Sequence, residues 1–130
     1  MAEITSIKKD FSFLFERKDV LAILLYGSTA NGDETPRSDI DICIVAPNCP
    51  ERHDLLTEVF RKLDVFSKKY DVRIFEELPL YIQIQIIQKN EIIHAKDIYE
   101  LYEYFYGIRK LWEVQADRQK VTGEELAEML

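Results

Sequence analysis

Apolar residues at Ile4, Ile7, Phe11, Leu14 and Phe15 recur at helical spacing and predict an amphipathic first helix over residues 3–18. The run from Val20 to Tyr26 (VLAILLY) is continuously apolar, stops at Gly27 and reads as a buried strand. Residues 27–38 have the Gly, Ser, Thr, Asn, Asp and Pro composition of a loop, with room for one helical turn after Ser28. Asp39 to Val45 (DIDICIV) returns to β-branched residues as a second strand, which Pro47, Asn48 and Pro50 end. Leu55, Leu56, Val59, Phe60, Leu63 and Phe66 repeat at three and four and predict a helix from Glu51 to Tyr70. A third strand is expected over Asp71 to Leu78, stopped by Pro79.

Leu80 to Lys89 carries both periods. Ile82, Ile84 and Ile86 alternate as in a strand, whereas Leu80, Ile84 and Ile87 follow a helix; Pro79, suited to a first helical turn, favours the helix. A short edge strand at Glu91 to His94 follows. Asp97 then caps a last helix over about 97–117, with Ile98, Leu101, Tyr102, Phe105, Ile108 and Trp112 on one stripe, before a charged end expected to fray. Neither a repeat nor a linker interrupts the chain. The expectation is a single α+β (α/β sandwich-like) domain over residues 1–130 with a small mixed β-sheet.

Composition narrows the functions open to it. Seventeen basic residues against 24 acidic ones leave a net charge of −7, which disfavours direct binding of nucleic acid through its backbone phosphates. A nucleotide can still be held locally where metal ions supply the positive charge. Cys43 sits in an apolar run and reads as a reduced core thiol, and Cys49, His53 and His94 do not complete a zinc set with it. Without a leader-like opening or an apolar run of about 20 residues, a cytoplasmic location away from the membrane is expected.

The chemistry concentrates in GSTANGDETPRSDID, residues 27–41. Glycine at the strand end lets backbone approach a phosphate closely, and Ser28 adds a hydroxyl and an N–H. A helical turn starting there would aim free N–H groups at the same anion. Residues i and i+2 of a strand share a face, so Asp39 and Asp41 project together with roughly 6.5–7 Å between their backbones. That reach suits hard divalent cations, which sit about 3.5–4 Å apart in two-metal phosphoryl-transfer sites. Unneutralised, the two carboxylates repel each other. Either element alone is commonplace, a turn or a solvated face; their order and spacing between two apolar strands is far more specific.

The pattern Gly27-Ser28-Thr29-Ala30-Asn31-Gly32 followed by Ser38-Asp39-Ile40-Asp41 resembles the signature of the DNA polymerase beta-like nucleotidyltransferase superfamily. The element order is similar to its minimal nucleotidyltransferase family over roughly residues 10–95. The resemblance implies the nucleotidyltransferase fold, a small mixed sheet with helices packed mainly on one face. It implies transfer of a nucleotidyl group from ATP or another nucleoside triphosphate with two Mg²⁺ ions. Gly27 and Ser28 would hold the terminal phosphates, and Asp39 and Asp41 would bind metal. A third carboxylate, placed best at Asp71 with Glu76 and Glu77 as competitors, would bind metal and take the proton of the attacking hydroxyl. Asn31 departs from the arginine common at that point of the family; it keeps hydrogen bonding and loses the charge. Arg37 could compensate, and Arg73 could serve as phosphate contact or ion-pair partner of Asp71.

The same resemblance implies a partner. Minimal nucleotidyltransferases are often paired with a small helical HEPN ribonuclease toxin, and act as its antitoxin by adenylylating a tyrosine on it. Tyr99, Tyr102, Tyr104, Phe105, Tyr106 and Trp112 exceed what one core stripe requires, so the last helix either offers an interface, to a partner or a second copy, or merely closes the core. Two other readings stand beside the active enzyme: a nucleotidyltransferase-fold module that neutralises a partner by contact alone, and a scaffold in which the Gly-Ser and aspartates are accidental.

Overall fold

A computed structural model describes residues 4–27 and 39–129. It contains a four-stranded sheet in the order β3-β2-β1-β4. The strands are β1 (Ala22–Tyr26), β2 (Ile40–Val45), β3 (Tyr70–Ile74) and β4 (Glu91–Ala95). β1 runs antiparallel to β2 and β4, while β2 and β3 are parallel, so the sheet is mixed as expected. The α-helices among the described residues are α1 (Ile4–Phe11), α2 (Arg52–Lys62), α3 (Leu80–Gln88) and α4 (Ile98–Met129).

Helices cover both faces of this sheet, where the resemblance implied mainly one. The cause is the unbroken apolar character of β1 and β2, which leaves no face fit for water. Ile23, Leu25, Ile42 and Ile44 pack with Ile7, Phe11 and Leu14 near the N-terminus and with Leu55 and Val59 of α2. Their alternates Ala22, Leu24, Cys43 and Val45 pack with Ile84 and Ile86 of α3 and with Leu101, Phe105 and Ile108 of α4. Both cysteines are buried and free. No helix of the described residues is long and apolar enough to cross a membrane.

Several boundaries differ from the periodicity, each for a local reason. α1 tightens into a 3₁₀ turn at Ser12–Leu14, where the Ser12 hydroxyl donates to the Lys9 carbonyl at 2.8 Å. α2 stops at Lys62 because Leu63 is extended and the Asp64 carboxylate accepts from both the N–H and the hydroxyl of Ser67, at 3.2 and 2.7 Å. That turn ends with Lys69 at φ 58° and leaves Phe66, an expected core residue, 91% exposed. β3 gives way to a 3₁₀ turn at Phe75–Glu77 that buries Phe75. The ambiguous segment is a helix, and the Pro79 carbonyl accepts the N–H groups of Ile82 and Gln83, both at 3.0 Å. Asp97 caps α4 as expected, its carboxylate accepting the Tyr99 N–H at 3.0 Å. α4 continues to Met129 rather than ending near residue 117, through a sequence rich in helix formers. Tyr102 turns outward with Tyr99 and Tyr106, so part of the aromatic excess is exposed.

His94 of β4 stacks on Phe15, ring centroids 4.2 Å apart and 10° from parallel. Its Nε2 is buried and finds no hydrogen-bond partner among the described residues. Burial depresses the imidazole pKa below its ordinary 6.5. A depressed folded-state pKa means that the stabilising contribution is complete above 6.5 and is lost as pH falls through the folded value. Melting temperatures measured from pH 7.5 down to 5 should therefore fall more steeply for the wild type than for His94→Phe; parallel curves would refute the coupling.

Candidate active site

β1 delivers the chain to Gly27, which adopts φ +74°. This left-handed conformation favours glycine. A Cβ at Gly27 would lie 2.1 Å from Oδ2 of Asp41, so glycine is also required for space. The two residues are brought together by the antiparallel register, which sets Tyr26 opposite Asp41.

On its other side, Asp41 is paired in the parallel register with Asp71. Paired residues on neighbouring strands lie about 4.8 Å apart in backbone and send their side chains to the same face. Asp39 is exposed, immediately before β2 and two residues from Asp41. The crowding has an electrostatic signature. The Asp41 carboxyl is pushed above its usual range, first by burial and then by the charges of Asp71 and Asp39, with Arg73 working against them. Burial also raises the Tyr26 phenol, assisted by Cys43, Asp41 and Asp71. Arg73 pairs with Asp71 at 3.3 Å, the ion-pair alternative of the two open for it, and Asp71 in turn raises the arginine's pKa.

Of the competitors for third carboxylate, Glu76 is committed elsewhere. One of its oxygens accepts the Ala46 N–H and the other the Tyr104 hydroxyl, each at 2.8 Å. Glu77 is exposed beyond the end of β3. The register thus brings Asp41 and Asp71 together, with Asp39 two residues before Asp41, and sets Glu76 apart as a tie between sheet and α4. Glu76→Ala is expected to lower stability by about 1–3 kcal/mol, because the N–H of fully buried Ala46 loses its acceptor, while sparing catalysis. Asp71→Ala, which loses only the half-exposed ion pair with Arg73, is expected to change stability little and, if Asp71 is the third carboxylate, to slow transfer; thermal melts and transfer rates of the two variants provide the check.

Ser28, Asn31 and Arg37, the other expected nucleotide contacts, lie outside the described residues. Among the described residues, no three His, Cys, Asp or Glu side chains are already gathered into a cage for an ion. The donor chemistry nonetheless fits a hard divalent cation: carboxylate oxygens from adjacent strands, with burial first and neighbouring negative charge second hindering ionisation of Asp41.

The sequence reading missed a cleft of about 480 Å³ between the end of β1 and α3, lined by Tyr26, Gly27, Ile82, Gln85, Gln88 and Lys89 among others. The spacing of Ile82, Gln85 and Lys89, which puts them on one helix face, was its available signal.

Comparison with known proteins shows the family of the chain. Residues 8–99 match the family described as Polymerase beta, Nucleotidyltransferase. Over 93 residues, 72% of this chain and 70% of the relative, the sequence is 48% identical to the Methanocaldococcus jannaschii protein named "Putative protein adenylyltransferase MJ1547". A chain from the crystal structure of a toxin–antitoxin with AMP-PNP superposes with a TM-score of 0.69 at 19% identity, covering 96% of this chain and 99% of that one. A chain from the tri-AMPylated Shewanella oneidensis HEPN toxin in complex with MNT antitoxin gives 0.66 at 12% identity, covering 95% and 99%. At these identities the structural likeness is one of fold. With the family match spanning most of its length, the chain belongs to the polymerase beta nucleotidyltransferase family and is a nucleotidyltransferase.

Proposed function

We propose that this chain is a magnesium-dependent protein adenylyltransferase that moves AMP from ATP to a tyrosine hydroxyl of a small helical HEPN toxin, and so acts as its antitoxin. The observation that carries the reading is the in-register placement of Asp41 beside Asp71, against the glycine that ends β1. The name borne by the relative at 48% identity and the toxin–antitoxin complexes of like fold support the choice of a protein acceptor.

In this reading Gly27 and Ser28 hold the terminal phosphates, with Asn31 and Arg37 beside them. Asp39, Asp41 and Asp71 hold two Mg²⁺ ions, which when bound supply neutralising charge to the phosphates, the attacking oxygen and the leaving group. The tyrosine oxygen bonds to the α-phosphorus as the bond to the bridging oxygen breaks, and pyrophosphate leaves with that electron pair. Asp71 takes the phenolic proton. The remaining residues orient the reactants.

The test combines labelled ATP, Mg²⁺ and the protein encoded beside this one. Label on a tyrosine of that partner, lost in Asp39→Ala and in Asp41→Ala, is the expected result. Inhibition of the partner that survives both substitutions, with no label, would instead establish neutralisation by contact.

A further inference from the structure

We propose that the turn between α2 and β3 is the surface on which the acceptor protein docks, and that it fits an acidic segment carrying an exposed apolar side chain; this rests on the protein-adenylylation reading above. Phe66 projects from this turn 91% exposed, and Phe60, in the last turn of α2, is 54% exposed. Large apolar side chains standing together in water mark contact sites. The turn holds Phe66 outward by its own bonds. Leu63 and Val65 pack against the core, and the Tyr70 N–H donates to the Val65 carbonyl at 2.9 Å. A groove of about 670 Å³ is lined by both phenylalanines together with Arg61, Lys62, Leu63 and Val65.

Charge singles out the same corner. Residues 60–69 (FRKLDVFSKK) hold four basic residues and one acidic one, in a chain with a net charge of −7. Arg61, Lys62, Lys68 and Lys69 are all exposed, and the one acid, Asp64, already accepts two bonds from Ser67. An apolar anchor ringed by cations complements an acidic protein surface. Position then selects the acceptor among acidic partners. The Lys69 carbonyl accepts the Ile40 N–H at 2.7 Å, so the turn sits at the end of the sheet where β2 and β3 begin, beside Asp39 and Asp71. Leu56, one helical turn before Phe60, lines a cleft of about 260 Å³ with Asp71 and Arg73 of the edge strand β3. One surface thus runs from the exposed phenylalanines round the sheet edge to the proposed base. A protein held at Phe60 and Phe66 can bring a hydroxyl along it, whereas ATP needs no contact there.

The experiment measures transfer from labelled ATP, with Mg²⁺, to varied concentrations of the protein encoded beside this one. Phe66→Ala, and the double reversal Arg61→Glu with Lys62→Glu, should each raise the KM for that protein about tenfold, as loss of a contact anchor does. Both should leave kcat and the calorimetric ATP affinity within about twofold of wild type. Phe66→Tyr, which keeps the ring, should stay near wild type. Added salt should raise the wild-type KM and move that of the charge-reversed variant far less. With wild-type transfer intact, an unchanged KM in both variants would overturn the docking surface and leave the transfer reading standing. A fall in kcat alone would overturn it too. So would lost binding of oligouridylate or of phosphatidylserine vesicles at constant KM, which would give the patch to nucleic acid or to a membrane. Binding of the neighbour through Phe66 without label would keep the surface and overturn the transfer reading. A wild type that neither binds nor labels the neighbour would overturn both.

Discussion

Asp41→Asn is expected to slow nucleotidyl transfer by about a thousandfold, the equivalent of several kcal/mol of lost charge stabilisation. The same substitution is expected to raise the melting temperature of the protein without ligands. The two effects share a cause. Asp41 is half-buried beside Tyr26, with Asp71 in register on the next strand and Asp39 two residues away. Burial and those charges raise its pKa above the ordinary 3.8. A raised carboxyl favours folding most below its unfolded value, and that contribution is lost as pH rises through the folded value. At neutral pH the ionised Asp41 thus opposes the fold, and an isosteric neutral amide removes the opposition together with the proposed metal ligand. Thermal melts with and without Mg²⁺ separate these roles. Mg²⁺ should raise the wild-type melting temperature by binding the native state and leave the variant's unmoved. A variant that melts lower than wild type without Mg²⁺, or that keeps its rate, would contradict the account.

The parts of this site that were legible beforehand are those encoded locally. The apolar run ending at Gly27 and the alternation through Asp39 and Asp41 are short-range patterns, and a strand's period of two sets alternate residues on one face. Choosing Asp71 over Glu76 needed more, because the choice depends on which residue of β3 stands beside Asp41, and parallel register is set by distant pairing. Glu76 sits only five positions on, yet its carboxylate is spent on Ala46 and Tyr104. The same limit explains the long helix expected through Phe66: an apolar period of three and four continued past Lys62, and the turn between Asp64 and Ser67 overrode it. Coverage of both sheet faces was implicit in the unbroken apolar runs of β1 and β2. Of the cleft only one wall was legible, the helix face of Ile82, Gln85 and Lys89, since Tyr26 and α3 meet only once the chain has folded.

Gly27→Ala tests whether that contact between glycine and carboxylate matters for chemistry. Alanine at φ +74° bears a backbone cost of about 1–2 kcal/mol. Its methyl would also occupy the position 2.1 Å from Asp41 Oδ2, so the carboxylate or the strand end must shift. A displacement of about 1 Å in a positioned group costs about a hundredfold in rate, which is the loss expected here. Gly27 is also proposed to hold phosphate, so the single variant cannot say which role failed. The pair of substitutions can. If alanine acts by displacing Asp41, then in an Asp41→Asn background, where that carboxylate is already gone, adding Gly27→Ala should cost less than about threefold more. Transfer rates of the two single variants and the double variant complete the cycle. A further hundredfold loss in the double variant would assign Gly27 to the phosphates independently of Asp41, and the contact at the end of β1 would then be packing alone.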